Sequence, residues 1–202
     1  MKLRHLLPAL ALAFAGHFAS STSHAQVGLY LNPVFTHAHI GTPDSGSFAF
    51  LGADNTSRWF GGVDFGGYYD FYHARSYDAG VDIRENIEHG NNALLSSCVV
   101  SGRIVAKPVR YGLRPYGQLG IGSGTTRAPH SIIRTTKLNW NITAGVDYPL
   151  AKYLDFRVVE VGFGTLTTMS SQIERANTNI PAASLLNISS GLVFRFGGAT
   201  KK

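Results

Sequence analysis

The side chains whose types could do chemistry lie in two short motifs. His130-Ser131 joins an imidazole to a hydroxyl, the pair that acyl transfer uses when base and nucleophile are within hydrogen-bond reach. The pair falls in a predicted loop, and neighbours on a strand would point to opposite faces, so we interpret it as polar loop residues. His37 and His39 could share one face, but a metal site needs further ligands. The sequence therefore predicts no catalytic, cofactor-binding or metal-binding residue.

Acidic and basic side chains are interspersed on the polar faces of alternating segments. The residues that we expect to form one polar network are Asp64, Asp70, Asp82, Arg84, Arg103, Arg114, Asp147, Arg157 and Arg195, with Asp78 in the same alternation. Opposite charges can neutralise one another in an enclosed space, whereas removing one partner of a buried pair costs roughly 3–5 kcal/mol. The pattern predicts a structural ion-pair network.

Eight segments carry these residues, and alternation of apolar and polar side chains replaces any sustained helical period. They are Val27–Thr36, Arg58–Tyr72, Tyr77–Glu88, Ala93–Pro108, Leu113–Ser123, Lys137–Pro149, Leu154–Leu166 and Ser184–Gly197. The clearest is the sixth, in which Leu138, Trp140 and Ile142 share one face and Asn139 and Asn141 the other. Because successive side chains of a strand point to opposite faces, the chain is predicted to be all-β, with eight antiparallel strands.

The connections alternate in length. The long, polar ones are Ile40–Ser57, Gly124–Thr136 and Thr167–Ala183, and the short ones are His73–Ser76, Val109–Gly112 and Leu150–Tyr153. His89–Asn92 is short where a long loop is expected. The rest fit an up-and-down barrel with longer outer loops and tight inner turns.

Two strands depart from strict alternation. Pro33 lies inside the first strand, and since proline donates no hydrogen bond to a ladder we expect an edge or a bulge there. In the seventh strand Glu160 falls on the apolar parity. A β-bulge near Val158–Glu160 would return it to the polar face.

The amino terminus has the layout of a cleavable export signal. Met1–His5 is basic, an apolar run follows, and small residues precede a cut after Ala25. The expected organisation is a signal peptide over 1–25 and a barrel domain over 26–202. Loss of Lys2 and Arg4 lowers the formal charge from +6 to +4, and no basic block indicates nucleic acid. With Cys98 as the only cysteine, no internal disulfide can form.

Alternation is compatible with two opposite polarities. A soluble sandwich or lipocalin-like calyx would bury the apolar face, whereas a membrane barrel turns it to lipid. Three features favour the membrane barrel: self-neutralising charges on the polar face, apolar faces long enough to span a bilayer, and aromatic residues at strand ends. The aromatic residues are Tyr69, Phe71, Tyr72, Tyr77, Tyr111, Tyr148, Tyr153, Phe194 and Phe196 near the short turns, and Trp59 and Trp140 near the long loops.

The last strand carries the most specific motif. Ser189, Gly191, Phe194 and Phe196 match the C-terminal assembly signal of outer-membrane barrels, although six residues follow the final aromatic residue. Over the mature chain the sequence resembles the small OmpA-like and OmpX-like eight-stranded barrels. The resemblance implies outer-membrane lipid as the surroundings and the barrel-assembly machinery as a partner during insertion. It implies no peptidoglycan-binding domain, since the chain ends with strand eight.

The expected function is a structural or surface-interaction role in the bacterial outer membrane, exerted through the long loops. A narrow channel for ions or small solutes is one alternative. A lipid A-modifying enzyme is another, although an acyltransferase would need a hydrocarbon slot and the predicted interior is too charged for one. We expect no enzyme activity and no cofactor.

Overall fold

The chain forms one closed antiparallel β-barrel. The computed structural model describes residues 26–44, 49–168 and 182–197, so the predicted signal peptide lies outside the described residues. The strands are β1 Gln26–His39, β2 Ser57–His73, β3 Tyr77–Gly90, β4 Ala93–Ala106, β5 Arg114–Arg127, β6 Thr135–Ala151, β7 Leu154–Leu166 and β8 Ala183–Gly197. Each strand pairs with the next, and β8 pairs with β1 to close the sheet. Among the described residues, no helix is long and apolar enough to cross a membrane.

The strands are strongly staggered around the barrel. Starting from Gly28, the paired residues in β2 to β8 are Tyr68, Asp82, Ser101, Gly120, Asn141, Gly164 and Leu185, and Leu185 pairs with Ala38 of β1. One circuit therefore shifts the register by ten residues. Such a shear requires strands tilted by roughly 35–45° to the axis, and eight strands leave an interior that side chains can fill.

The apolar face of every strand points outward. Leu138 is 69% exposed, Ile142 53% and Phe194 47%, whereas Asp82 and Asp147 are buried inside. In water such a surface would be a large unfavourable apolar area, while in a bilayer it contacts hydrocarbon and the closed sheet satisfies the backbone. The predicted membrane polarity is confirmed.

The aromatic residues lie where a membrane barrel has its interfacial belts. Tyr72 and Tyr77 pack with ring centroids 6.0 Å apart beside the β2–β3 turn. Nearer the long loops, Trp140 meets Phe163 edge-on at 6.2 Å. Amphipathic rings at both ends of an outward apolar band are typical of the two membrane–water interfaces.

The seventh strand contains the predicted bulge. Its register against β8 shifts between Arg157 and Glu160, and Val158 and Val159 both face outward, 43% and 41% exposed. Two consecutive outward residues change the parity of the strand. Glu160 is thereby turned into the barrel, where it is buried.

The prediction of an edge or a bulge at Pro33 is wrong. Pro33 pairs with Val63 of β2, and a closed barrel has no edge. Pairing between β1 and β8 is interrupted between Leu31 and Val34, yet the register is the same on both sides of the gap. The barrel accommodates the missing N–H of Pro33 by an interruption of the ladder, without an extra residue.

The two ends of the barrel differ. One end, here called the turn end, carries short connections at 74–76, 107–113 and 152–153. The other, here called the loop end, carries the long connections at 40–56 and 167–182, the shorter loop 128–134 and a two-residue turn at Asn91-Asn92. Both asparagines have positive φ, 45° and 63°, which suits the tight hairpin turn that follows the right-handed twist of the strands. This geometry explains the short connection at His89–Asn92.

Candidate functional site

The barrel interior is the place where the polar side chains meet. Eight of the nine residues of the predicted network are buried, and Arg195 is half-buried at the turn end. Every strand from β2 to β8 contributes at least one of them. Asp78 lies apart at the turn end, where it pairs with Lys107 and lies 2.6 Å from His73 Nδ1.

Glu160 is the centre of this network. Its carboxylate accepts two hydrogen bonds from Arg84, at 2.5 Å and 2.8 Å, across the barrel from β7 to β3. It also accepts from the Tyr116 hydroxyl at 2.5 Å and the Ser189 hydroxyl at 3.2 Å. Arg157 adds an ion pair at 3.2 Å. Because bidentate charged hydrogen bonds are strong and directional, Glu160 fixes the positions of both arginines.

Tyrosine rings separate the buried guanidinium groups. Arg103 lies between Tyr68 and Tyr116, 4.1 Å and 4.2 Å from the ring centroids. Its nitrogens lie 3.7 Å from Asp70 and 3.6 Å from Asp147. Cation–π contacts of this kind are worth about 2 kcal/mol when desolvated. The rings therefore stabilise arginine charge in positions that solvent does not reach.

Tyr30 contributes to the same layer from β1. Its hydroxyl donates to the Asp82 carboxylate at 3.0 Å and accepts from Arg84 Nε at 3.1 Å. Its ring lies under Arg157, with 4.5 Å to the centroid. Tyr30 thus joins β1 to the charges of β3 and β7.

At the turn end a second group of charges closes the interior. Asp155 pairs with Arg114 at 3.2 Å and with Arg195 at 2.6 Å. Arg114 also donates to Gln26, which donates in turn to the Tyr68 hydroxyl. The chain of contacts is continuous with the sandwich around Arg103.

At the loop end the interior is apolar, which the sequence analysis did not predict. Part of the connection 40–56 folds inward, and its Ile40, Phe50 and Leu51 are buried. Phe50 stacks on Phe60 of β2, with centroids 4.9 Å apart and planes 12° from parallel. The full cluster, here called the apolar plug, is Ala38, Ile40, Phe50, Leu51, Phe60, Ala93, Leu95, Leu166, Ala183 and Leu185.

Hydrogen bonds hold the plug in place. The buried Asp44 carboxylate accepts from the Leu51 amide at 2.8 Å, and Arg58 donates to the carbonyl oxygens of Phe50 and Gly90. The expectation that 40–57 is a polar outer loop is therefore wrong for this part, because its apolar residues cover the barrel mouth. Sequence alternation cannot reveal such an inward fold, since it lies outside the strands.

Between the plug and the charged layer lies a small polar cavity. Its volume is about 10 Å³. The lining residues are Asn86, Glu88, Leu95, Ser97, Asn139, Asn141, Gly164, Leu185 and Asn187. One water-sized sphere fits, whereas a solute does not.

The residues first considered for chemistry lie on the outside. Ser131 is used within its own loop: its hydroxyl accepts from the Ile133 amide, and its carbonyl accepts from Arg127. His37 packs against Trp59 at 4.8 Å on the outer surface, and the His39 ring lies 6.4 Å from it. Within the described residues no group of three or more histidine, cysteine, aspartate or glutamate side chains could hold a metal ion.

The four residues of the β8 motif have different surroundings. Phe194 and Phe196 face outward, about half exposed. Ser189 faces inward and donates to Glu160. Gly191 lies so close to β1 that a Cβ there would be 2.3 Å from Asn32 Oδ1 and 2.7 Å from the Leu31 carbonyl oxygen.

These features define the class of protein: a closed, eight-stranded membrane-spanning β-barrel with lipid-compatible walls and a filled polar interior. No protein-family model matches the chain, and no curated protein does either. Solved structures with this fold include Ail, the attachment invasion locus protein of Yersinia pestis. It aligns over 86% of this chain and 99% of its own, with a TM-score of 0.51 and 10% identity.

Neisserial surface protein A gives a TM-score of 0.51 at 11% identity, over 83% of this chain and 97% of its own. Ail in complex with the heparin analogue sucrose octasulfate gives 0.50 at 12% identity, over 86% and 99%. At such identities the likeness is one of fold. The chain has the fold of the small outer-membrane β-barrels, as the β8 motif predicted.

Proposed function

We propose that this protein is exported to the bacterial outer membrane and acts there through the outer surface of its loop end. The observation that carries the proposal is the occupied interior. The charged layer, the polar cavity of about 10 Å³ and the apolar plug follow one another along the axis. Eight strands enclose a lumen that side chains fill, which leaves the loops as the accessible surface.

The loop 128–134 offers an exposed contact surface. Ile132 is 94% exposed and Ile133 45%, beside exposed His130 and Arg134. Arginine is enriched at the energetic centres of interfaces, and the two isoleucines add apolar surface beside it. The loop therefore fits a partner that combines apolar contact with negative charge.

Charge at the loop end favours an anionic ligand. Arg127, Arg134 and Lys137 are accessible there, whereas Asp44 is buried and Asp54 is the accessible carboxylate of the described loops. A surface with an excess of positive charge attracts anionic partners over about a Debye length, roughly 8 Å at physiological salt. A sulfated or phosphorylated surface glycan is the ligand class that we propose.

Retention on immobilised heparin tests this role. The purified barrel in detergent should be retained on heparin but not on neutral dextran, and salt should release it. R134S with K137S should weaken retention. The matched control R110S with K152S removes the same charge at the turn end and should leave retention unchanged. Equal loss in both double variants, or no retention of the wild type, would contradict the proposal.

Conductance separates this role from transport. In planar bilayers the wild type should stay silent at all voltages, because the filled lumen offers no continuous aqueous path. Steady single-channel steps would favour the narrow channel instead.

We also propose that the protein is not an enzyme, and that it is cut after Ala25 and inserted by the barrel-assembly machinery. Lipid A from cells with and without the gene should give identical mass spectra. The mature protein should begin at Gln26 by N-terminal sequencing. Phe196→Ala should lower the folded yield in membranes more than Phe71→Ala, a lipid-facing control of similar exposure.

A further inference from the structure

We infer that the polar cavity between the apolar plug and the charged layer is a binding site for one Ca²⁺ ion. The polar side chains of the cavity come from β3, β4, β6 and β8, and β7 contributes Gly164. It is separate from the loops that carry the proposed function.

Several oxygen atoms of this cavity accept no hydrogen bond. Glu88 Oε2 and the Oδ1 atoms of Asn86, Asn139 and Asn141 are buried without a hydrogen-bond partner. All four residues are at least nine-tenths buried, and all four line the cavity. Unpartnered buried acceptors are costly, and a cation would satisfy several at once.

Glu88 Oε1 and Asn187 Oδ1 are the fifth and sixth side-chain oxygens at this cavity. The Thr36 hydroxyl lies 2.8 Å from Glu88 Oε1 and 3.0 Å from Asn187 Oδ1. It has one proton to donate, so it cannot satisfy both acceptors. The cavity thus gathers about six side-chain oxygens, which is the lower end of Ca²⁺ coordination.

The buried carboxylates outnumber the positive side chains that serve them. Among the described residues nine carboxylates are buried: Asp44, Asp64, Asp70, Asp78, Asp82, Glu88, Asp147, Asp155 and Glu160. Four arginines are buried with them: Arg84, Arg103, Arg114 and Arg157. Arg58, Lys107 and Arg195 serve Asp44, Asp78 and Asp155 from the two ends. Counting arginine and lysine alone, nine carboxylates meet seven positive side chains, a difference of two.

Glu88 is the buried carboxylate of the described residues without an arginine or lysine partner. Each other carboxylate has an arginine or lysine nearby, but the charge that acts on Glu88 is the like charge of Asp64. An ionised carboxylate at such a position needs a counter-charge. A divalent cation beside Glu88 neutralises the interior as a whole.

The donor set selects the ion. Carboxylate and amide oxygens suit hard cations, and no thiolate or imidazole lines the cavity. Mg²⁺ usually keeps several waters in a strict octahedron, and a cavity for one water-sized sphere has no room for them. Ca²⁺ accepts irregular, nearly dehydrated oxygen cages.

Metal counting on the intact mature barrel tests the inference. The protein is refolded in detergent with equal CaCl₂ and MgCl₂ in excess NaCl, desalted, and analysed by inductively coupled plasma mass spectrometry. We expect one Ca²⁺ per chain in the wild type and in the control E85Q, whose side chain is on the outer face of the same strand. E88Q should retain none.

A second variant and a second measurement protect the test against misfolding. N139A keeps Glu88 but removes one neutral oxygen, and it should retain less Ca²⁺ than the wild type after the same desalting. Refolding with a chelator should lower the urea midpoint of the wild type and leave that of E88Q unchanged. The inference is overturned if the wild type binds stoichiometric Mg²⁺ in place of Ca²⁺, or if E88Q binds as much Ca²⁺ as the wild type. It is also overturned if the wild type retains no metal, which would indicate that the cavity holds a water molecule.

Discussion

Replacing Glu160 by glutamine tests whether the charged layer holds the barrel together. The change keeps the shape of the side chain and removes its charge. Arg84 and Arg157 then lose the carboxylate that lies 2.5 Å and 3.2 Å from their nitrogens. The Tyr116 and Ser189 hydroxyls keep an amide oxygen as acceptor, so the loss is mainly ionic.

The magnitude follows from burial. Glu160, Arg84 and Arg157 are all buried, so water cannot replace the lost partner. Removing one side of a buried ion pair costs about 3–5 kcal/mol. We expect E160Q at the upper end of that range, because two guanidinium groups share the carboxylate. A cost of this size is comparable to a large part of the stability of a small domain.

The lost free energy of unfolding is measured by urea unfolding of the barrel refolded in lipid vesicles. The folded fraction is read from the heat-modifiable gel mobility of the closed barrel. E85Q removes a carboxylate from the outer surface and should change the unfolding free energy by less than about 0.5 kcal/mol. A loss below about 1 kcal/mol for E160Q, or one equal to that of E85Q, would refute a stabilising role for this centre.

Three further changes probe other parts of the interior with the same unfolding assay. Tyr116→Phe removes the hydroxyl that donates to Glu160 and should cost about 1.5–3 kcal/mol, as hydrogen bonds to charged groups do; no measurable change would remove Tyr116 from the network. Gly191→Val should prevent or strongly weaken closure of β8 on β1, since a Cβ would lie 2.3 Å from Asn32 Oδ1, whereas Gly102→Val, with nothing within 4 Å, should fold normally; equal yields would show that the β1–β8 seam tolerates bulk. Leu51→Ala should cost about 2–5 kcal/mol because Leu51 is fully buried in the apolar plug, while Ile132→Ala should cost almost nothing because Ile132 is 94% exposed; similar values for both would mean that residues 49–51 do not fill the mouth.

Much of the fold could be predicted because a strand has a period of two. Once Leu138 and Ile142 are assigned to one face, Asn139 and Asn141 must lie on the other. The same parity places Asp82, Arg84 and Asp147 inside the barrel, where they are buried. Alternation alone does not choose between the two polarities, and the choice depended on the charges and on the aromatic residues at the strand ends.

The parts that sequence reasoning missed are those in which parity does not decide. The predicted bulge turns Glu160 inward, but alternation did not show that its carboxylate is the centre of the network. Tyr30, Tyr68 and Tyr116 are absent from the predicted network, since a tyrosine suits either face. Their role beside Arg103 and Arg157 depends on contacts between strands that are far apart in sequence.

The order of layers along the axis also explains why a charged lumen is compatible with a small barrel. The apolar plug at the loop end and the Asp155–Arg114 pair at the turn end separate the central ion pairs from solvent. Coulomb attraction is stronger where the effective dielectric constant is low, but only if each charge has a partner. Arg84 and Arg157 meet that condition through Glu160. Among the described residues Glu88 has no such partner, and the proposed Ca²⁺ would supply its counter-charge.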